Sequence, residues 1–367
     1  PHEEEFWSET YQSSIEGVYG LYRNIAQAVA DQVGAPLTPQ ERAHLAEAPE
    51  VKPEAYDLYQ RANQLIRLRT GFDEAIGYLE QAVEIDPSYA PAYAALSSAY
   101  NMQATYFLVP SSDGYHSAKL AAQAALGLDP TRVGTLVDLG MAKAWGEYDW
   151  EGAEKDFLEA IQFDKGHQTY GQMLVYIGRT EEGLEHLRKA VELDPISPAP
   201  RMFLGVCLDY ARRHGEAVEQ LDSIISIYPD QGYAHFFLSS PLAAQGLYAE
   251  AIAQLNRAVE YGDSQPMFLA SLSQIYGLMG QRDSASAFLN DLMEMREQGG
   301  PHYVAPDLIA WAHIGLGQHD EAMDWLERAW DEREQGLIHL KMAPLFDPLR
   351  SHPRFQALLE KMNFPEG

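Results

Sequence analysis

A small residue that returns at a nearly fixed interval constrains this chain more than anything else in it. Ala75, Ala118, Ala153, Gly183, Ala217, Ala251, Ala285 and Ala322 sit in related apolar stretches, separated by 43, 35, 30, 34, 34, 34 and 37 residues. A period near 34 is the length of two helices and their turns, and such a pair has an apolar face too large to bury alone. Neighbouring pairs must cover one another. The expected fold is therefore all-α, a right-handed superhelical solenoid of about eight helix pairs.

The punctuation fits that reading. Second helices end at Asp86-Pro87, Asp129-Pro130, Asp194-Pro195 and Tyr228-Pro229, where proline cannot continue a helix and aspartate can cap the next one. Turns such as "IGRTEE", "QGLYAE", "MGQRDS" and "LGQHDE" separate the two helices of a pair. Gly140, Gly205, Ser239, Ser273 and Ala310 place small residues in first helices, so that paired backbones approach closely. Ahead of the array, an apolar stripe from about Ile15 predicts a helix ended by Gly34. Thr38, Pro39 and Glu41 predict a short second helix over Pro39–Ala46. Three regions follow: 1–52 with these helices and a linker, the array over 53–335, and a C-terminal cap over 336–367.

The repeats, with "EAIGYLEQAVEIDPSYAPAYAALSSAY" as the fullest copy, resemble the tetratricopeptide repeat (TPR) family over about Glu54–Glu334. Several segments are also similar to the C-terminal region of bacterial multidomain regulators that join a TolB-like domain to TPRs, often behind a winged-helix, kinase or cyclase domain. They are "EFWSETYQSSIEGVYGLYRNIAQAVADQV", "PEAYDLYQRANQLIRLRT", "YDWEGAEKDFLEAI", "YVAPDLIAWAHIGLGQHDEAMDWLERAWDER" and "PLFDPLRSHPRFQALLEKM". That resemblance implies a protein-interaction module of a signalling or transcriptional regulator. The alternative is a sensor of a small ligand or short peptide that signals to an upstream domain. The chain opens at Pro1 rather than Met and reads as a fragment or processed product.

Four places break the period. The 43-residue interval holds an excess, "TYFLVPSSDGYHS", read as structural, with a ligand-covering loop as the alternative. The 30-residue interval lacks about one helical turn and predicts a local irregularity. Pro241 falls inside a first helix, where it should bend or open it. The end, "GLIHLKMAPLFDPLRSHPRF", is not a repeat; Leu345, Phe346, Leu349 and Phe355 should cover the last open face, as terminal units require.

Composition narrows the partners. With 26 Lys plus Arg against 54 Asp plus Glu, the net charge of −28 repels phosphate backbones and makes nucleic acid an unsuitable direct ligand. A basic peptide or protein face would be attracted, although acidity also serves solubility. No apolar run reaches the roughly 18 residues of a membrane span, so a cytoplasmic location is expected, with the periplasm left open. The single cysteine, Cys207, reads as a buried thiol. No paired-Cys motif, His-Glu-x-x-His or phosphate loop occurs. Ser111, Asp113 and His116 lie too close in sequence to assemble a triad. The chain is not expected to be an enzyme or to need a cofactor or metal, and the sequence does not fix its oligomeric state.

In a TPR stack the first helices line the concave side. The resemblance places Asn101, Met202, Asp209, Tyr233, Phe236, Gln274 and Trp311 there as candidate partner-binding residues, with large aromatics as anchors. A clamp on a peptide's terminal carboxylate would need more cations than Arg201 beside Asn101.

Overall fold

In the computed structural model, residues 28–30, 51–68, 71–262 and 265–365 are described. Apart from the helical residues 28–30, the helix expected from Ile15 and the one over Pro39–Ala46 lie outside them. The described residues are helices and turns, with no strand among them. The chain divides into two compact units, Pro1–Leu96 and Ser97–Gly367.

In the first unit, helices α1 (Pro53–Leu68) and α2 (Phe72–Ile85) pair through Ala55, Ala62, Ala75, Leu79 and Ala82, all fully buried. The turn between them passes through Gly71 at φ 60°, a left-handed conformation that costs glycine little. After α2 the chain turns on Asp86, whose carboxylate accepts from the Lys52 N–H at 3.2 Å and the Ser88 hydroxyl at 2.7 Å. Burial opposes its charge, but the Ser88 and Lys52 hydrogen bonds prevail and hold the carboxyl below its usual range. The unit boundary falls inside α3 (Ala90–Thr105).

The second unit continues with α4 (Ser111–Leu128), α5 (Val133–Met141), α6 (Trp150–Ile161), α7 (His167–Tyr176) and α8 (Thr180–Leu193). Then follow α9 (Pro198–Tyr210), α10 (His214–Ile227), α11 (Gly232–Ala244) and α12 (Tyr248–Tyr261). The last full-length helices are α13 (Pro266–Leu278), α14 (Arg282–Gln298), α15 (Pro306–Gly315) and α16 (His319–Asp331). Two 3₁₀ turns, Gln335–His339 and Pro344–Leu349, lead into α17 (Pro353–Met362). Every alanine of the repeating series is fully buried. At two first-helix small positions that carry serine, the hydroxyl donates to the carbonyl of the paired alanine, whereas Ser239 donates to Phe236 within its own helix. Ser97 reaches Ala118 at 2.9 Å and Ser273 reaches Ala285 at 2.8 Å.

The shortened repeat explains the lone glycine in the series. Helix α7 is only ten residues long, and it crosses α8 so closely that a Cβ on Gly183 would lie 2.5 Å from the Gly171 carbonyl oxygen. No alanine fits there. One further expectation is modified, and one feature is new. Helix α11 runs on through the buried Pro241 to Ala244 without interruption. After α5 the helix widens into a π-helical turn, Ala142–Glu147, which nothing in the period announced.

The C-terminal segment covers much more than the last pair. Phe346, Leu349, Phe355 and Met362 are buried in one cluster with Ala322 and Leu326 of α16, and also with Trp145, Trp150, Tyr176 and Leu204 of much earlier pairs. Polar contacts fix the docking: Tyr148 OH to the Glu334 carbonyl at 2.7 Å, Trp150 Nε1 to the Met362 carbonyl at 3.0 Å, and Lys341 Nζ to the Ile177 carbonyl at 2.6 Å. The expectation of a lid over one terminal face was too narrow, because the earlier pairs leave apolar surface bare as well.

Candidate partner-binding face

Successive first helices are joined side chain to side chain. Ser98 Oγ on α3 donates to Asp138 Oδ2 on α5 at 2.6 Å, and Asn101 Nδ2 donates to the Asp138 carbonyl at 3.0 Å. Burial pushes the Asp138 carboxyl up to about 6 despite those two partners. Between α9 and α11, Asp209 accepts from Ser240 Oγ at 2.7 Å, and its other oxygen lies 2.6 Å from His214 Nδ1. Burial raises this carboxyl too, with Ser240 and His214 pulling the other way. Tyr233 of α11 meets Phe268 of α13 edge-on at 5.7 Å. Helices α13 and α15 touch backbone to backbone, where a Cβ on Gly315 would lie 2.4 Å from the Gln274 Cα.

Two segments of the chain itself lie against these helices. The excess after α3 packs its Tyr106 ring 5.3 Å from Tyr233. Phe107 is buried with Ala270, Leu308 and Ile309, and its carbonyl accepts from the Tyr303 N–H at 2.7 Å. The first 3₁₀ turn of the C-terminal segment seats His339 edge-on between Tyr176 at 4.8 Å and Tyr210 at 5.7 Å. Burial holds the His339 imidazole down at about 4.

The seven candidate residues accordingly separate. Met202 and Phe236 are buried in an apolar cluster, which removes them from the side chains a partner can touch; they pack on neighbouring helices instead. Asn101 is buried, with its amide nitrogen on Asp138. The Asp209 carboxylate is buried, yet Ser240 beside it is exposed. Tyr233, Gln274 and Trp311 remain half-buried, and the Trp311 indole N–H has no acceptor among the described residues.

Sequence reasoning missed a set of ionisable groups where the C-terminal segment begins. Glu334 is buried and accepts from Ser111 Oγ at 2.7 Å and Tyr303 OH at 2.6 Å. Asp307 is fully buried, and neither of its carboxyl oxygens has a hydrogen-bond partner among the described residues. A Cβ on Gly336 would collide with that carboxyl, so any larger residue there would have to displace it. Burial, and then the Glu334 charge, push Asp307 up to about 8. Asp307 follows a helix-starting proline and reads in sequence as an ordinary first-turn acid, so no signal marked it. Among the described residues no three potential ligands gather as a metal site.

An array of stacked helix pairs is a scaffold for protein interactions. Residues 171–232, 208–266 and 307–333 match models described as the tetratricopeptide repeat, and the repeats there are of that kind. Solved structures share the fold. The human IFIT1 dimer with PPP-AAAA is 16% identical at a TM-score of 0.53, over 85% of this chain and 78% of that one. A monomeric IFIT1 mutant with Gppp-AAAA is 15% identical at 0.55, over 85% and 76%. Such likeness speaks for the fold alone. "Putative adenylate cyclase 3" of Rhizobium meliloti (strain 1021) is 31% identical over 93 residues, which is 25% of this chain and 16% of that relative's length. No described helix is long and apolar enough to cross a membrane.

Proposed function

We propose that the chain is the partner-binding arm of a larger bacterial signalling or transcriptional regulator, and that it holds a peptide or protein segment along the first helices α9 to α15. The observation that carries this reading is the run of reachable side chains there: Ser240 with Asp209 behind it, then Gln274, then the half-buried ring of Trp311. A half-buried aromatic ring is the kind of group that anchors a partner. The net charge of −28 favours a basic segment over an acidic one.

The regulator context rests on the resemblance of the segments quoted above and on the match to part of a cyclase relative. Tyr106 and Phe107 are engaged with the chain's own late pairs, which favours the interaction reading over a loop free to cover a small ligand. The test is calorimetric. Peptides selected by display against the chain should be enriched in Lys and Arg, and Trp311→Phe with Gln274→Ala should weaken their binding about tenfold. Unchanged affinity in that double variant would place the partner elsewhere.

A further inference from the structure

At or just after the ends of the second helices of five consecutive pairs stands an exposed apolar residue at one and the same repeat position: Leu128, Phe163, Leu193, Ile227 and Tyr261. Phe163 is 60% exposed and Ile227 67%. Single exposed apolar side chains are ordinary on a protein surface. Five in register, each just before the turn to the next pair, form a ledge. Neighbouring turns are joined, since Tyr228 OH after α10 donates to the Ile196 carbonyl after α8 at 3.2 Å.

Acids accompany the ledge. Asp164, Asp194 and Glu260 are exposed immediate neighbours of Phe163, Leu193 and Tyr261. On α6 the ledge opens into a groove of about 710 Å³, where the exposed Leu158 and Phe163 lie among the carboxylates of Glu151 and Glu159, with Lys155 the one cation in its lining. Apolar side chains among like charges call for a partner with apolar residues on one face and cations beside them. A second copy of a chain at −28 would bring its own acids, and an anionic membrane or nucleic acid would be repelled.

We propose that this ledge is a second docking surface, distinct from the first-helix face, and that it takes a basic amphipathic helix of a protein partner. Apolar side chains of that helix lie on Phe163, Leu193 and Ile227, and its Lys or Arg residues pair with Glu159, Asp164 and Asp194. The probe is a labelled five-turn peptide of leucine and lysine with leucines at i, i+3, i+4 and i+7, followed by fluorescence anisotropy at physiological salt. A peptide of identical composition with its leucines spread round the helix serves as control. The amphipathic peptide should bind, the control should bind at least about tenfold more weakly, and Phe163→Ser with Ile227→Ser should abolish the difference while circular dichroism stays unchanged. Trp311→Phe with Gln274→Ala should leave this binding intact, so failure of the ledge and failure of the first-helix reading are separable. Equal binding of both peptides, or undiminished preference in the double serine variant, overturns the proposal. So does self-association, by sedimentation, that the serine variant dissolves.

Discussion

The pairs from α5 to α8 and the pairs from α11 to α14 share one repeat pattern but end in different states. The first set is sealed, with Trp145, Trp150 and Tyr176 buried beneath Phe346, Phe355 and Met362 of the C-terminal segment. The second keeps Ser240, Leu278 and Met279 exposed and Gln274 half-buried. Identical repeat geometry therefore does not decide which surface is available. That is decided by where the C-terminal segment settles, and it settles on the pairs from α5 to α8. On the first-helix side the sealed set serves as core and the open set remains for partners, while the ledge at the ends of the second helices runs along both.

The largest expected effect tests the seal. Phe346→Ala should cost about 3–5 kcal/mol, the range for removing a fully buried aromatic side chain, read by chemical unfolding. A loss under about 1 kcal/mol would mean that the C-terminal segment is merely resting on the early pairs. Next comes the titration of the seal itself. Asp307, held at about 8 in the fold against about 3.9 when unfolded, is protonated in the native chain and ionised in the unfolded one between those values. Its contribution is fully present below pH 4 and is lost as pH rises towards 8, at up to about 1.4 kcal/mol per pH unit. Asp307→Asn should flatten that alkaline decline. His339, held at about 4 against about 6.5, acts in the opposite direction, so stability should fall on acidification from about pH 6.5 towards 4. His339→Gln should remove that limb. Thermal melts across pH 4–9 measure both, and an Asp307→Asn variant with the wild-type alkaline decline would show that this carboxyl is not the buried proton-holder described above.

These joints also mark where the sequence stops being legible. The eight small residues, the Asp-Pro turns and the helix pairs could all be read, because each is a local consequence of one period. The docking of Lys341 on the Ile177 carbonyl and of His339 between Tyr176 and Tyr210 could not. Those contacts join residues more than a hundred positions apart and leave no periodic trace. The same limit explains the candidate site: helix spacing assigned Phe236 and Met202 to a face, but burial by the next pair is a property of the stack. Gly183 stands between the two cases. Its glycine was visible as an exception, and its cause, a Gly171 carbonyl oxygen that would lie 2.5 Å from any added Cβ, was not. Gly183→Leu should cost at least about 1–3 kcal/mol through overpacking, whereas Gly215→Leu, with nothing within 4 Å of an added Cβ, should be close to neutral.

The smallest effect probes the open set. Ser240 is exposed, and its hydroxyl donates to a carboxylate that is otherwise nearly enclosed. Removing it with Ser240→Ala should cost only about 0.5–1.5 kcal/mol of stability, because water can reach the edge that the hydroxyl vacates. The Asp209 titration should move more visibly, since the Ser240 hydrogen bond is the strongest influence working against burial there. Side-chain carboxyl NMR should find the Asp209 midpoint displaced upward in Ser240→Ala, and binding of a basic peptide weakened more at pH 5 than at pH 8. A midpoint that stays in place would mean that His214 alone sets this carboxylate, and the open face would then lose one of the polar groups that distinguish it from the sealed one.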